Sequence, residues 1–338
     1  MKRRTVCGAA AALALGSTLP RALAAPAVAA ARPPRIFMIL FRGETAVERG
    51  FRDYFAVNGM PVELIVRDVA LDVSKVPQLV AEARAMKADL IYTWGTPITL
   101  AVVGKEGAVD PAKHVTDIPV VFTMVASPRG SGLVSSRTTS GRNITGACHV
   151  VPAIQQLGAI RAYRRFDRLA IIFNPAEPNS LQNVKELRAL AASERFQLLE
   201  RPVPLDAKGQ PMAAALPAMV EELARDNVQL LYIGPDSFLA ANRKVLTEAA
   251  LAHRLPSFSA TEILLREGKA LFGLVSGYES VGRLTAHKVQ QILRQRIAPA
   301  AIPVETLARF SYLVNMSVAA QLDLYPPLKV LNYAELMR

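Results

Sequence analysis

Four polar side chains crowd one short turn of this chain: Asn174, Glu177, Asn179 and Ser180, within Ile171-Ile172-Phe173-Asn174-Pro175-Ala176-Glu177-Pro178-Asn179-Ser180. The apolar run before them reads as a buried strand, and a helix is expected at once, from Leu181 to Glu194. In an open α/β sheet, ligands sit just outside the carboxyl ends of the strands. A helix N-terminus there adds unpaired N–H groups. Capping a helix needs only one Asn or Ser, so four polar groups exceed that need. A second turn, Gly234-Pro235-Asp236-Ser237, follows the apolar run Leu230–Ile233. Asp236 suits either an N-cap or a charge-assisted hydrogen bond to a ligand ammonium. Together the turns suit reversible capture of a small polar molecule. Glu177 and Asp236 facing each other across a cleft would also suit acid–base hydrolysis.

Other residues fit the capture reading. Trp94 precedes Gly95-Thr96 at a strand exit, where it is either core or a flat wall for an aromatic side chain. A ligand carboxylate held opposite Asp236 would lie near Thr96, Ser127 or Ser180, where hydroxyls and helix N-termini donate. Arg42 follows the first strand and either faces water or grips that carboxylate through two bonds. Tyr278 either lines the cleft or packs at a hinge, and Met124 and Phe238 are either core or apolar contacts to a ligand.

These groups need a scaffold, and the pattern supplies one. Short apolar runs alternate with amphipathic stretches. The strands are expected at Ile36–Phe41, Val62–Val66, Leu90–Thr93, Val120–Val125, Leu169–Phe173, Leu198–Pro202, Leu230–Ile233, Leu271–Ser276 and Ser311–Asn315. A further apolar strand spans Ile144–Val151. Helical patterns cover Val76–Met86, Ile154–Tyr163, Met212–Arg225, Ala240–Ala252 and Val281–Leu293. Continuous apolar strands joined by helices imply an α/β fold with parallel sheets covered on both faces. Breaks at Ser127–Gly141, Gly277–Tyr278 and Ala298–Val304 mark candidate domain boundaries.

The start of the chain carries an export pattern. Met1-Lys2-Arg3-Arg4 is basic, Val6–Leu19 is apolar and small, and Ala22-Leu23-Ala24 resembles a cleavage site. This order predicts a signal peptide over 1–24, followed by a Pro/Ala tether over 25–34 and a periplasmic protein. Cleavage would remove Lys2, Arg3, Arg4 and Arg21 and no acid, lowering the formal charge from +12 to +8. The remaining basic residues are scattered rather than clustered, which argues against nucleic acid. No apolar run reaches the length of a membrane span. Of two Cys, only Cys148 would survive cleavage, so no internal disulfide and no Cys-based metal site is expected. The four His show no metal-binding spacing. No cofactor is expected, and none of the usual catalytic motifs is present.

Several segments carry a resemblance in order and spacing. They are Arg42-Gly43, Gly50-Phe51-Arg52, Asp89-Leu90-Ile91-Tyr92-Thr93-Trp94-Gly95-Thr96-Pro97, Ile118-Pro119-Val120-Val121-Phe122, Gly132-Leu133-Val134, Asn143-Ile144-Thr145-Gly146, the Asn174–Ser180 turn, and Phe310–Asn315 with Ala319, Leu324 and Pro326-Pro327. With these the chain resembles the ABC transporter substrate-binding proteins of the ABC_sub_bind type, some of which bind aromatic amino acids. The resemblance implies the type 1 periplasmic binding protein fold: two Rossmann-like lobes joined by a three-segment hinge. Lobe one would comprise 35–145 plus 278–297, and lobe two 146–277 plus 298–338. It implies a monomeric, non-enzymatic protein that closes on a small-molecule solute and hands it to an ABC transporter permease. A ligand-sensing domain for a membrane receptor and an exported hydrolase are the alternatives.

Overall fold

Two sheets organise the chain. The computed structural model describes residues 32–338, so the expected signal peptide and most of the tether lie outside the described residues. The first sheet holds β1 (Arg35–Leu40), β2 (Glu63–Asp68), β3 (Leu90–Trp94), β4 (Val120–Val125) and β5 (Ile144–Cys148), all parallel, in the order β2-β1-β3-β4-β5. The second holds β6 (Arg168–Phe173), β7 (Gln197–Pro202), β8 (Leu230–Ile233), β9 (Ser257–Ser259), β10 (Phe272–Val275), β11 (Ser311–Asn315) and β12 (Glu335–Met337), in the order β12-β11-β10-β9-β8-β6-β7. The β10–β11 pair alone is antiparallel among these strands. The central strands β3, β4 and β8 are buried at every residue, as parallel strands covered on both faces must be.

Helices cover the sheets. The first lobe carries α1 (Ala46–Val57), α2 (Val76–Ala85) and α3 (Gly95–Val103). The second carries α4 (Ala153–Tyr163), α5 (Pro178–Glu194), α6 (Leu216–Arg225), α7 (Ser237–Ala241), α8 (Arg243–Ala252) and α9 (Glu262–Arg266). Helix α10 (Tyr278–Leu293) returns to the first lobe, and α11 (Met316–Leu322) and α12 (Leu328–Leu331) close the second. α1 and α10 touch backbone to backbone. A Cβ on Gly282 would lie 1.9 Å from the Val47 carbonyl oxygen, and one on Gly50 2.0 Å from that of Glu279. No side chain fits at either position, so this crossing requires glycine.

Three segments connect the lobes: Cys148 to Ala153, Val275 to Tyr278, and Leu293 to Ser311. The first crossing corrects the expected boundary at 145/146. β5 pairs with β4 through Cys148, so the first lobe's sheet runs past that boundary. The Ser127–Gly141 stretch is a loop before β5 and not a crossing. The third crossing also starts later than expected. Ala147 bridges Glu305, and Cys148 N donates to Glu305 O at 2.7 Å, which keeps the chain on the first sheet as far as 305. Lys288, fully buried, donates to the Pro303 carbonyl at 2.7 Å and pairs with Glu305 on the same segment. The expected helix Ala240–Ala252 breaks at Asn242, and the expected strand Ile144–Val151 ends at Cys148, where the chain leaves the sheet.

Both sheets reverse their winding at one place: between β1 and β3 in the first, and between β6 and β8 in the second. Crevices open at the carboxyl ends of strands at such points. Arg42 and Trp94–Thr96 follow β1 and β3, and Asn174–Ser180 and Gly234–Ser237 follow β6 and β8. The topology therefore brings the singled-out turns to two facing crevices.

Candidate functional site

On the second lobe the two polar turns are bonded into one unit. Asp236 caps α7 through its side chain, accepting from Leu239 N at 2.9 Å. Its other carboxylate oxygen accepts from Asn174 N and Ser180 Oγ, each at 2.7 Å. Glu177 reaches the same helix end, accepting from Ser237 N at 2.9 Å and Ser237 Oγ at 2.6 Å. Asn179 Nδ2 donates to Glu177 Oε1 at 2.9 Å and to the Pro235 carbonyl at 2.6 Å. These five residues are at most 7% exposed. The expected capping role is thus real for Asp236, while Glu177 and Ser180 serve the neighbouring turn rather than their own helix. The two carboxylates stand side by side on one lobe and do not face each other across the cleft, which removes the geometric premise of the hydrolase reading.

Burial first, and then the neighbouring Asp236 charge, push the Glu177 carboxyl up to about 7. Burial also raises Asp236, opposed by the hydrogen bonds it accepts. Desolvation disfavours the charged forms, and two adjacent carboxylates resist joint ionisation. A nearby cation would relieve both effects.

The first lobe presents the opposite chemistry. β3 runs straight into α3, because Gly95 takes φ +83°, a turn that only glycine makes without strain. Thr99 Oγ1 donates to the Gly95 carbonyl at 2.7 Å and lies 2.9 Å from Thr93 Oγ1, pinning the junction. Thr96 Oγ1, Trp94 Nε1, and Arg42 Nε and Nη1 are buried and have no hydrogen-bond partner. The Arg42 guanidinium lies over the Trp94 ring, 4.9 Å from its centroid, a cation–π geometry. Buried polar atoms are almost always paired, so such a concentration at one cleft marks a place built for a partner.

These groups line a narrow cavity of about 30 Å³ between the lobes. Arg42, Trp94, Gly95, Thr96, Met124 and His149 line one side, and Asn179, Pro235, Asp236, Ser237, Ala240 and Thr261 the other, with Tyr278 at the hinge. Since Asn179 Nδ2 is committed to two acceptors, its Oδ1 is the atom left free, and it is buried without a donor. Thr261 Oγ1 and His149 Nδ1 are likewise unpaired. Burial, and then the Arg42 charge, push His149 down to about 3, which keeps its imidazole neutral. Met124 reaches the wall through a bulge in β4: the β4–β5 register shifts between Phe122 and Val125, and Met124 sits at φ +56°.

A larger outer compartment adjoins this cavity at Ser237, which lines both. It offers about 720 Å³, with Asn174, Glu177 and Phe238 on its wall. Of the expected site residues, Arg42, Trp94, Gly95, Thr96, Asn179, Asp236 and Tyr278 meet at the inner cavity, and Asn174 and Glu177 at the outer. Ser180 is buried beneath Asp236. Ser127 lines neither compartment; it opens the turn in which Ser131 N donates to its carbonyl. Sequence reasoning missed His149, Thr261, Pro235 and Ser237 as lining residues. His149 was findable as the residue just after a strand end; Thr261 follows a three-residue strand, Ser257–Ser259, with no apolar pattern to announce it.

Among the described residues, no cluster of three or more His, Cys, Asp or Glu side chains could hold a metal. No helix among them is long and apolar enough to cross a membrane. Residues 62–337 match the family described as ABC transporter substrate binding protein. The chain is 21% identical over 278 residues to the tyrosine-binding protein of Clostridioides difficile (strain R20291), covering 82% of this chain and 74% of that one. Its fold is similar to that of the ABC domain in complex with L-Trp from Streptococcus pneumonia (TM-score 0.77, 21% identity, 90% of this chain and 99% of that one). It is also similar to a conserved domain protein from Vibrio cholerae O1 biovar El Tor (TM-score 0.79, 21% identity, 91% and 100%). A periplasmic ribose ABC transporter from Conexibacter woesei DSM 14684 shares the two-lobe type 1 periplasmic binding fold (TM-score 0.56, 13% identity, 87% and 96%).

Proposed function

Because the chain belongs to the ABC transporter substrate binding protein family, we propose that it is exported to the periplasm, closes on an amino acid and delivers it to a membrane permease. One observation carries the choice of ligand class. The cavity is lined by unpaired donors on one lobe and by acceptors on the other. A zwitterion matches both walls at once. Its carboxylate meets Arg42, Trp94 Nε1 and Thr96 beside the N-terminus of α3. Its ammonium meets Asn179 Oδ1 and the Asp236 carboxylate, with the Glu177 charge behind them. The binding proteins for tyrosine and for L-Trp among its relatives favour an aromatic side chain.

The physics favours capture without conversion. Each buried donor left unpaired destabilises the empty closed form by about 1–3 kcal/mol, and a bound carboxylate removes that penalty. No single lobe satisfies both ends of a zwitterion, so binding and closure are coupled. The reading needs no nucleophile and no metal. A thermal-shift screen of amino acids and organic acids tests it, because a bound ligand raises the melting temperature by mass action. The expected result is a rise with L-tryptophan or L-tyrosine and a smaller radius of gyration by X-ray scattering at saturation. Stabilisation by organic acids lacking an ammonium, and by no amino acid, would sink the zwitterion reading.

A further inference from the structure

We propose that the outer compartment is the subsite for the ligand's aromatic side chain, with Phe238 and Leu71 as the residues that select for it. This rests on the amino-acid reading above and adds where the side chain goes. The inner cavity is narrow, at about 30 Å³, and the polar atoms that suit the zwitterion converge on it. Trp94, the obvious stacking wall, has one ring face under the Arg42 guanidinium. What it offers is its unpaired N–H, a donor for the carboxylate.

The outer compartment supplies what the inner one lacks. Its walls include Phe41, Leu71 and Pro97 from the first lobe and Pro178 and Phe238 from the second. Ser237 lines both compartments, so the outer one lies directly beside the place where the charged end would be held. A backbone outlier marks the same place. Ala70 and Leu71 are consecutive non-glycine residues in the left-handed region, at φ 52° and 69°. The strained turn is held by Leu71 N donating to the Phe41 carbonyl at 2.7 Å and Ala70 N to Asp68 Oδ1 at 2.9 Å. It leaves the Leu71 side chain 50% exposed on the compartment wall. An exposed leucine on strained backbone brings no packing benefit, and such strain gathers where a ligand is gripped.

Calorimetry with L-phenylalanine and L-tryptophan on the wild type, Phe238→Ala, Leu71→Gly and Met124→Ala tests the proposal. Leu71→Gly keeps the fold, since glycine takes the left-handed turn without strain. Phe238→Ala and Leu71→Gly are each expected to weaken both ligands by about tenfold through lost apolar contact, and Met124→Ala, on the inner wall, by less than either. The subsite is overturned if Met124→Ala gives the largest loss while Phe238→Ala and Leu71→Gly bind as the wild type does. If the wild type binds neither ligand, the aromatic amino-acid reading falls, and the subsite with it.

Discussion

The two walls of the cleft use the same kinds of residue in opposite ways. On the second lobe, Glu177, Asp236, Asn174, Asn179 and Ser180 are tied into one network, and the Asn179 Oδ1 is their one side-chain atom left buried and unpaired. On the first lobe, Arg42, Trp94 and Thr96 together hold four buried polar atoms with no partner. One wall is largely bonded within itself before any ligand arrives, with Asn179 Oδ1 and Thr261 Oγ1 left open, and the other holds most of the unpaired atoms. A binding protein gains from this division, because a rigid wall positions the ligand and an unsatisfied one makes the closed form depend on it.

Substitutions can break this contrast. Asp236→Ala should have the largest effect, since it removes the cap of α7 and the acceptor for Asn174 N and Ser180 Oγ at once. We expect about 3 kcal/mol of lost stability and at least a hundredfold loss of amino-acid affinity, measured by denaturant melts and calorimetry. Arg42→Leu should separate the walls. Affinity falls by about thirtyfold, while the melting temperature of the free protein stays level or rises, because unpaired donors are removed. A clear fall in melting temperature would place Arg42 in the structure instead.

Glu177→Gln sharpens the comparison through pH. Burial and the Asp236 charge push the folded carboxyl up to about 7 from its ordinary 4.5. Between those values the folded state keeps a proton that the unfolded state releases, so stability falls as pH rises from 4.5 through 7. His149 acts in the opposite sense: held near 3 against 6.5, it costs stability as pH falls from 6.5 toward 3. The difference between wild type and Glu177→Gln isolates the first slope, and the variant's melting temperature should lose that decline. A ligand ammonium favours the ionised pair, so amino-acid binding near pH 6.5 should release a proton, read as a buffer-dependent enthalpy that the variant lacks. Thr96→Val should do least, weakening binding by about threefold through one lost hydroxyl, with the melting temperature of the free protein level or slightly higher.

Much of this was legible in the chain. The α/β class followed from apolar runs such as Val120–Val125 and Leu230–Ile233, because a strand buried on both faces must be apolar throughout. The turn at Asn174–Ser180 was legible because polar residues seldom crowd a strand end without a purpose. β9 and β12 were not, since three residues such as Ser257–Ser259 hold no period, and neighbouring strands rather than composition make them strands. The crossing after Cys148 was hidden for the same reason: β5 looks alike whichever sheet it joins.

Residue type and local order by themselves determined that polar turns would end buried strands and that two sheets would carry them. Only the tertiary structure decided which polar atoms are spoken for. Whether Asp236 caps a helix, or Trp94 offers its face or its N–H, depends on neighbours such as Ser180, 56 residues away in sequence, and Arg42. A hydrogen bond is a property of two groups in space, and sequence spacing does not encode that distance.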